Sequence, residues 1–141
     1  TAKALGNGYP CAALLMHPRI AQAVRLDALG TTFGGGPLAC AAIEATIAAI
    51  ENEQLLAQVR RVGAYIRRSC VIGPVTAYQG AGFLVGLRTA RPARHVHAQL
   101  LERGILTGTS ADPQVLRLLP PFILNESHVD LLRDALLAIG S

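Results

Sequence analysis

The stretch from Pro37 to about Glu51 constrains the fold more than any other part of this chain. It follows Gly34-Gly35-Gly36, so Pro37 falls at the first helical position, where its missing N–H costs nothing. The helix it predicts is apolar nearly all round, interrupted by Glu44, and such a helix belongs in an interior. It is shorter than the roughly 20 apolar residues a membrane span needs. The composition of the 141 residues agrees: 51% are hydrophobic and only 16% charged, against roughly 25% charged in an average soluble chain. So much apolar surface with so little charge predicts cover by further protein, by a second copy of the chain, or by both. The expected architecture is α/β, with this helix connecting two parts.

The remaining composition narrows the function classes. No basic segment leading into an apolar one is visible in these residues, and the scattered cysteines point to a cytoplasmic protein. The formal charge of +4 comes from arginines, since Lys3 is the only lysine. Arg60, Arg61, Arg67 and Arg68 flank an apolar stripe, which predicts a solvated helix face and no nucleic-acid surface. Cys11, Cys40 and Cys70 are odd in number, widely spaced and set among apolar residues, which predicts reduced, buried thiols. His95 and His97, two apart on a helix, diverge and are not expected to share a metal. His17 and His128 fall near helix starts and are expected at the surface.

The periodicity divides the chain. Cys11 to Met16 reads as a strand and Pro18 to Leu29 as a helix. A second amphipathic helix, about Glu53 to Cys70, carries Leu55, Val59, Val62 and Ile66 on one stripe. Strands are expected at Val75–Tyr78, Phe83–Leu87, Ile105–Thr107 and Val115–Leu119. Helices are expected over Ala93–Arg103, closed by Gly104, and over Asn125–Ile139, capped by Asn125 or Ser127. Residues 53–141 thus read as a small α+β domain, and residues 1–52 as the end of another domain with its connecting helix.

Three groups of residues carry chemistry. Lys3 precedes a glycine turn in Thr1-Ala-Lys-Ala-Leu-Gly-Asn-Gly-Tyr-Pro10, with no acid until Asp27. Thr31 and Thr32 lie in Gly30-Thr-Thr-Phe-Gly-Gly-Gly-Pro-Leu-Ala-Cys40, where hydroxyls and free amides meet a helix start. An amine with such a loop suits an aldehyde cofactor that bears a phosphate. The plain alternatives are a solvated lysine and an ordinary capping turn. Arg117 sits in the apolar strand Val115–Leu119, where a buried guanidinium needs an anion: a substrate carboxylate, or an acidic side chain in a structural ion pair.

These two segments, with Gly80-Ala-Gly-Phe-Leu-Val-Gly86 and Val115-Leu-Arg-Leu-Leu-Pro-Pro121, occur in an order that resembles the class III (ω-amino acid) pyridoxal-phosphate aminotransferases of fold type I. The likeness is greatest to the acetylornithine and ornithine branch. It implies that Lys3 forms the Schiff base with pyridoxal 5'-phosphate and later shuttles a proton. It implies that Thr32 bonds the cofactor phosphate of the neighbouring subunit in a homodimer. Thr31 falls at a substrate-contacting position, and Arg117 at the arginine for a substrate carboxylate. The implied reaction moves an amino group from N-acetylornithine, or a similar donor such as ornithine or 4-aminobutyrate, to 2-oxoglutarate. Two positions depart from the pattern: Gly36 replaces the usual asparagine, and Gln79 replaces a basic residue. The family's phosphate-binding turn, ring-stacking aromatic, ring-nitrogen aspartate and second substrate arginine precede the lysine and are expected outside these residues. The rival expectation is a non-catalytic module for folding or dimerisation.

Overall fold

A computed structural model describes residues 1–32 and 34–140, so Phe33 of the threonine–glycine loop and Ser141 lie outside the described residues. The chain forms two compact units, Thr1–Glu53 and Gln54–Ser141.

The first unit holds a 3-10 turn at Lys3–Gly6, the short helix α1 at Pro18–Ala21 and the long helix α2 at Pro37–Asn52. The turn packs on α2 through Gly6, whose bare Cα lies close to Cys11 Sγ and to Ala42. Two expectations fail here. Cys11–Met16 is not a strand, because it finds no ladder partner; among the described residues its backbone is engaged at Ala13, whose amide and carbonyl bond Thr1. The helix foreseen over Pro18–Leu29 stops at Ala21, with His17 as its cap through Nδ1 and with turns from Gln22 on. α2 has the bounds its sequence predicts, yet none of its residues is buried within this chain. The first unit offers it little beyond the 3-10 turn to pack against, so its apolar faces stay open. Cys40 is exposed and Cys11 half-buried for the same reason; only Cys70 is a buried thiol as expected.

In the second unit, α3 at Leu55–Ser69 buries the predicted stripe of Leu55, Val59, Val62 and Ile66, with Gly63 between them. A four-stranded antiparallel sheet follows, in the order β1-β2-β4-β3, from β1 (Val75–Ala81), β2 (Leu84–Thr89), β3 (Gly108–Thr109) and β4 (Val115–Leu118). Helices α4 (Ala93–Glu102) and α5 (Glu126–Ile139) complete the unit. Val85 and Leu87 on β2 pair with Leu118 and Leu116 on β4, and these four side chains form one buried face. Against them pack Ile66 from α3, Val96 and Leu100 from α4, and Val129, Leu132 and Leu136 from α5.

The third strand lies later than Ile105–Thr107 because the end of α4 uses the intervening residues. Gly104 enters the left-handed region at φ 76, and Ile105 N–H donates back to the Leu100 carbonyl at 2.9 Å. That reverse bond closes the helix and keeps Ile105 out of the ladder, which starts at Gly108. Gly73, at φ 57, makes the turn before β1 and presses on the backbone of Leu136. At the other end of α5, Asn125 Oδ1 accepts from His128 N–H at 3.2 Å and His128 Nδ1 accepts from Asn125 N–H at 3.3 Å. His17 and His128 are both exposed, as their positions suggest.

Candidate active site

Lys3, Thr31 and Thr32 belong to the first unit and Arg117 to the second. Lys3 opens the 3-10 turn with its backbone at φ 60, a left-handed conformation that side-chain-bearing residues seldom adopt. Such conformations persist where the surroundings impose them, and they concentrate at functional positions. The turn is closed by Asn7, also left-handed, whose N–H returns to Ala4. Lys3 is exposed in this chain.

Thr31 and Thr32 are exposed on the loop that enters α2. The Thr31 carbonyl accepts from Gly34 N–H at 3.4 Å, and the Thr31 methyl stands where a Cβ on Gly34 would be. A side chain at 34 would have to displace the Thr31 methyl. Gly36 takes the N-cap position with no side-chain bond to the first turn, so the amides after Pro37 keep their donors. Where the family pattern has asparagine, this chain leaves those amides open to an outside acceptor. An amine, two hydroxyls and uncapped amides are the donor types that a phosphate-bearing aldehyde needs, so this donor set fits pyridoxal phosphate in kind.

Arg117 is not buried, contrary to expectation. Along β4, Leu116 and Leu118 take the core face, and the alternation of the strand sends Arg117 to the opposite, open face. Arg88 shares that face but is held by Asp112 at 3.2 Å. No described residue pairs with the Arg117 guanidinium, so the structural ion pair is absent there. Arg117 stands at the edge of a groove of about 460 Å3, whose other walls include Thr107, Gly108, Pro120, His128 and Leu132.

Several other polar residues serve the fold. Arg61 faces Glu126 at 3.7 Å, while Arg67 and Arg68 lie over the rings of Tyr78 and Tyr65. Among the described residues no group of His, Cys, Asp or Glu could hold a metal ion, and no helix is long and apolar enough to cross a membrane. His97, read in sequence only as a poor metal ligand, bonds Thr107 through Nδ1 at 2.9 Å and ties α4 to the segment before β3. Nothing in the sequence pattern points to that contact, because it joins residues of two different elements.

Comparison with known proteins decides the family. The class-III aminotransferase family matches residues 1–139. The chain belongs to that family. Members of the family use pyridoxal phosphate, and the fold is that of the fold type I enzymes. Over 129 residues the chain is 38% identical to the acetylornithine aminotransferase of Aquifex aeolicus, covering 92% of this chain and 34% of the relative. It is 37% identical over 134 residues to acetylornithine aminotransferase 1 of Bordetella bronchiseptica, again covering 92% and 34%. The crystal structure of acetylornithine aminotransferase from Elizabethkingia anophelis superposes with a TM-score of 0.83 at 26% identity, covering 97% of this chain and 39% of that one. The chain thus spans about a third of the length of the curated relatives it matches.

Proposed function

We propose that this class-III chain supplies the lysine, the phosphate threonine and a carboxylate-binding arginine of a pyridoxal-phosphate-dependent aminotransferase. The enzyme moves an amino group from N-acetylornithine, or a similar ω-amino acid, to 2-oxoglutarate. The observation that carries this reading is Arg117: a guanidinium on an open sheet face, without an acidic partner among the described residues, while Arg88 beside it is neutralised by Asp112. A cation left in that state is suited to a carboxylate from outside the chain, which guanidinium binds through two parallel hydrogen bonds.

When bound, the cofactor supplies an electron sink that makes a substrate C–H acidic. Lys3 would hold the cofactor through its Nζ, and its freed amine would be the base that takes the proton from the substrate carbon and delivers it to the cofactor carbon. Thr32 and the amides at the start of α2 bind phosphate oxygens, and the homodimer places Thr32 on the neighbouring subunit's cofactor. Thr31 contacts the amino donor. In this assignment residues 1–52 close the large cofactor domain and residues 53–141 form the small domain. Support comes from the family match over almost the whole chain and from relatives named for acetylornithine.

The test is borohydride reduction of the full-length protein in the presence of cofactor, followed by peptide mapping. A pyridoxyl group on Lys3 is expected, with loss of label and of turnover in Lys3→Ala; label elsewhere rejects the assignment. Rates with N-acetylornithine, ornithine and 4-aminobutyrate then identify the donor.

A further inference from the structure

One cross-strand row contains Arg117 and explains where its side chain lies. Gln79 on β1 pairs with Gly86 on β2, Gly86 pairs with Arg117 on β4, and Arg117 pairs with Gly108 on β3. Directly paired residues of antiparallel strands share a face, about 5 Å from one strand to the next. The arginine thus has a glycine on each side, two bare seats on which a long side chain can lie.

The two seats are not equivalent. The one over Gly86 is filled: a Cβ there would stand 2.8 Å from Gln79 Cγ, 3.0 Å from Gln79 Nε2 and 3.0 Å from Val115 Cγ1. The one over Gly108 is taken by the arginine itself, since a Cβ at 108 would stand 3.4 Å from Nε and 3.5 Å from Nη2 of Arg117. β3 is only two residues long, and the His97–Thr107 bond immediately before it fixes its position against α4.

We infer that Gln79 and Gly108 are positioning residues for the substrate carboxylate, acting through Arg117: Gln79 closes one seat, and bare Gly108 leaves the other as the place for the guanidinium. The inference rests on the carboxylate-binding reading of Arg117. It assigns a role to glutamine at a position where the family pattern has a basic residue. A neutral amide covers Gly86 without adding a second cation beside Arg117. It also makes position 108 selective for size. Alanine would just touch the guanidinium, whereas the branched carbons of valine would occupy its place.

Steady-state kinetics of the full-length enzyme separate the possibilities. Gly108→Val is expected to raise KM for 2-oxoglutarate about tenfold with kcat within about twofold, and Gly108→Ala to raise it by only about twofold. Valine favours a strand, so β3 is not expected to be lost. Gln79→Ala reopens the seat over Gly86 and is expected to raise KM about threefold, again with kcat kept. Thr109→Ala, in the same strand but paired with Leu116 on the other face, should change neither constant. If Arg117→Ala leaves KM for 2-oxoglutarate unchanged, the carboxylate reading fails and this inference with it. If Arg117→Ala raises KM while Gly108→Val and Gln79→Ala do not, or lower kcat alone, the carboxylate reading stands and the positioning role is overturned.

Discussion

The Tyr65 hydroxyl on α3 donates to Asp130 Oδ1 on α5 at 2.6 Å, and Arg133, one turn further along α5, reaches the same oxygen at 2.7 Å. This contact joins two of the three helices that cover one side of the small sheet. Arg133 also holds Asp134 at 2.8 Å, so both acids are committed to one guanidinium.

The tyrosine contact makes stability depend on alkaline pH. The hydrogen bond to Asp130, with a smaller share from burial, raises the Tyr65 pKa above its ordinary value near 10. A group whose pKa is raised on folding stabilises below its unfolded pKa, and that stabilisation is lost as pH rises through the folded value. Tyr65→Phe is therefore expected to lower Tm at pH 7 and to flatten the fall in Tm above pH 10. Thermal melts of both proteins from pH 7 to 11 measure it; parallel curves would show that the bond contributes nothing.

Cys70 is fully buried, and burial pushes its thiol pKa up by disfavouring the thiolate. Native protein at pH 8 is expected to alkylate at Cys70 at least about tenfold more slowly than unfolded protein, as read by iodoacetamide labelling and peptide mapping. Equal rates in the two states would contradict the buried placement.

Leu116 sits between Leu87 across the ladder and the helices above, with no exposed surface. Leu116→Ala removes three buried carbons and leaves a cavity, which costs about 2–5 kcal/mol. In urea the unfolding midpoint of the full-length protein should fall with the slope unchanged.

Gly73 combines a left-handed backbone with contact against the Leu136 carbonyl. Gly73→Ala adds the cost of a left-handed residue, about 1–2 kcal/mol, and forces α5 away from the turn. A loss of about 2 kcal/mol or more in the same urea assay is expected. A smaller loss would mean that the turn relaxes at little cost.

The helices of the second unit were legible in the sequence because each is amphipathic and ends on a local signal. The stripe from Leu55 to Ile66 requires only a period of 3.6, and Gly104 and Asn125 mark ends that are decided within a few residues. The sequence of Cys11–Met16 does not reveal its structure, because a short apolar run has strand propensity but becomes a strand only with a partner. Ile105 stays out of the third strand because the helix ahead of it claims its amide.

The site divides along the same line. The residue types at Lys3, Thr31, Thr32 and Arg117, and the order of the motifs that hold them, were set by sequence alone, since the chemistry of an amine, a hydroxyl or a guanidinium travels with the residue. Tertiary structure decided what each one faces. Arg117 looked buried in an apolar run, but pairing register placed Leu116 and Leu118 on the core side and left the arginine on the open face. The same register put Gly108 beside it, nine positions earlier in the chain, and Gln79 two strands away. No local pattern contains such neighbours, because a ladder joins residues by spatial pairing and not by their separation along the chain.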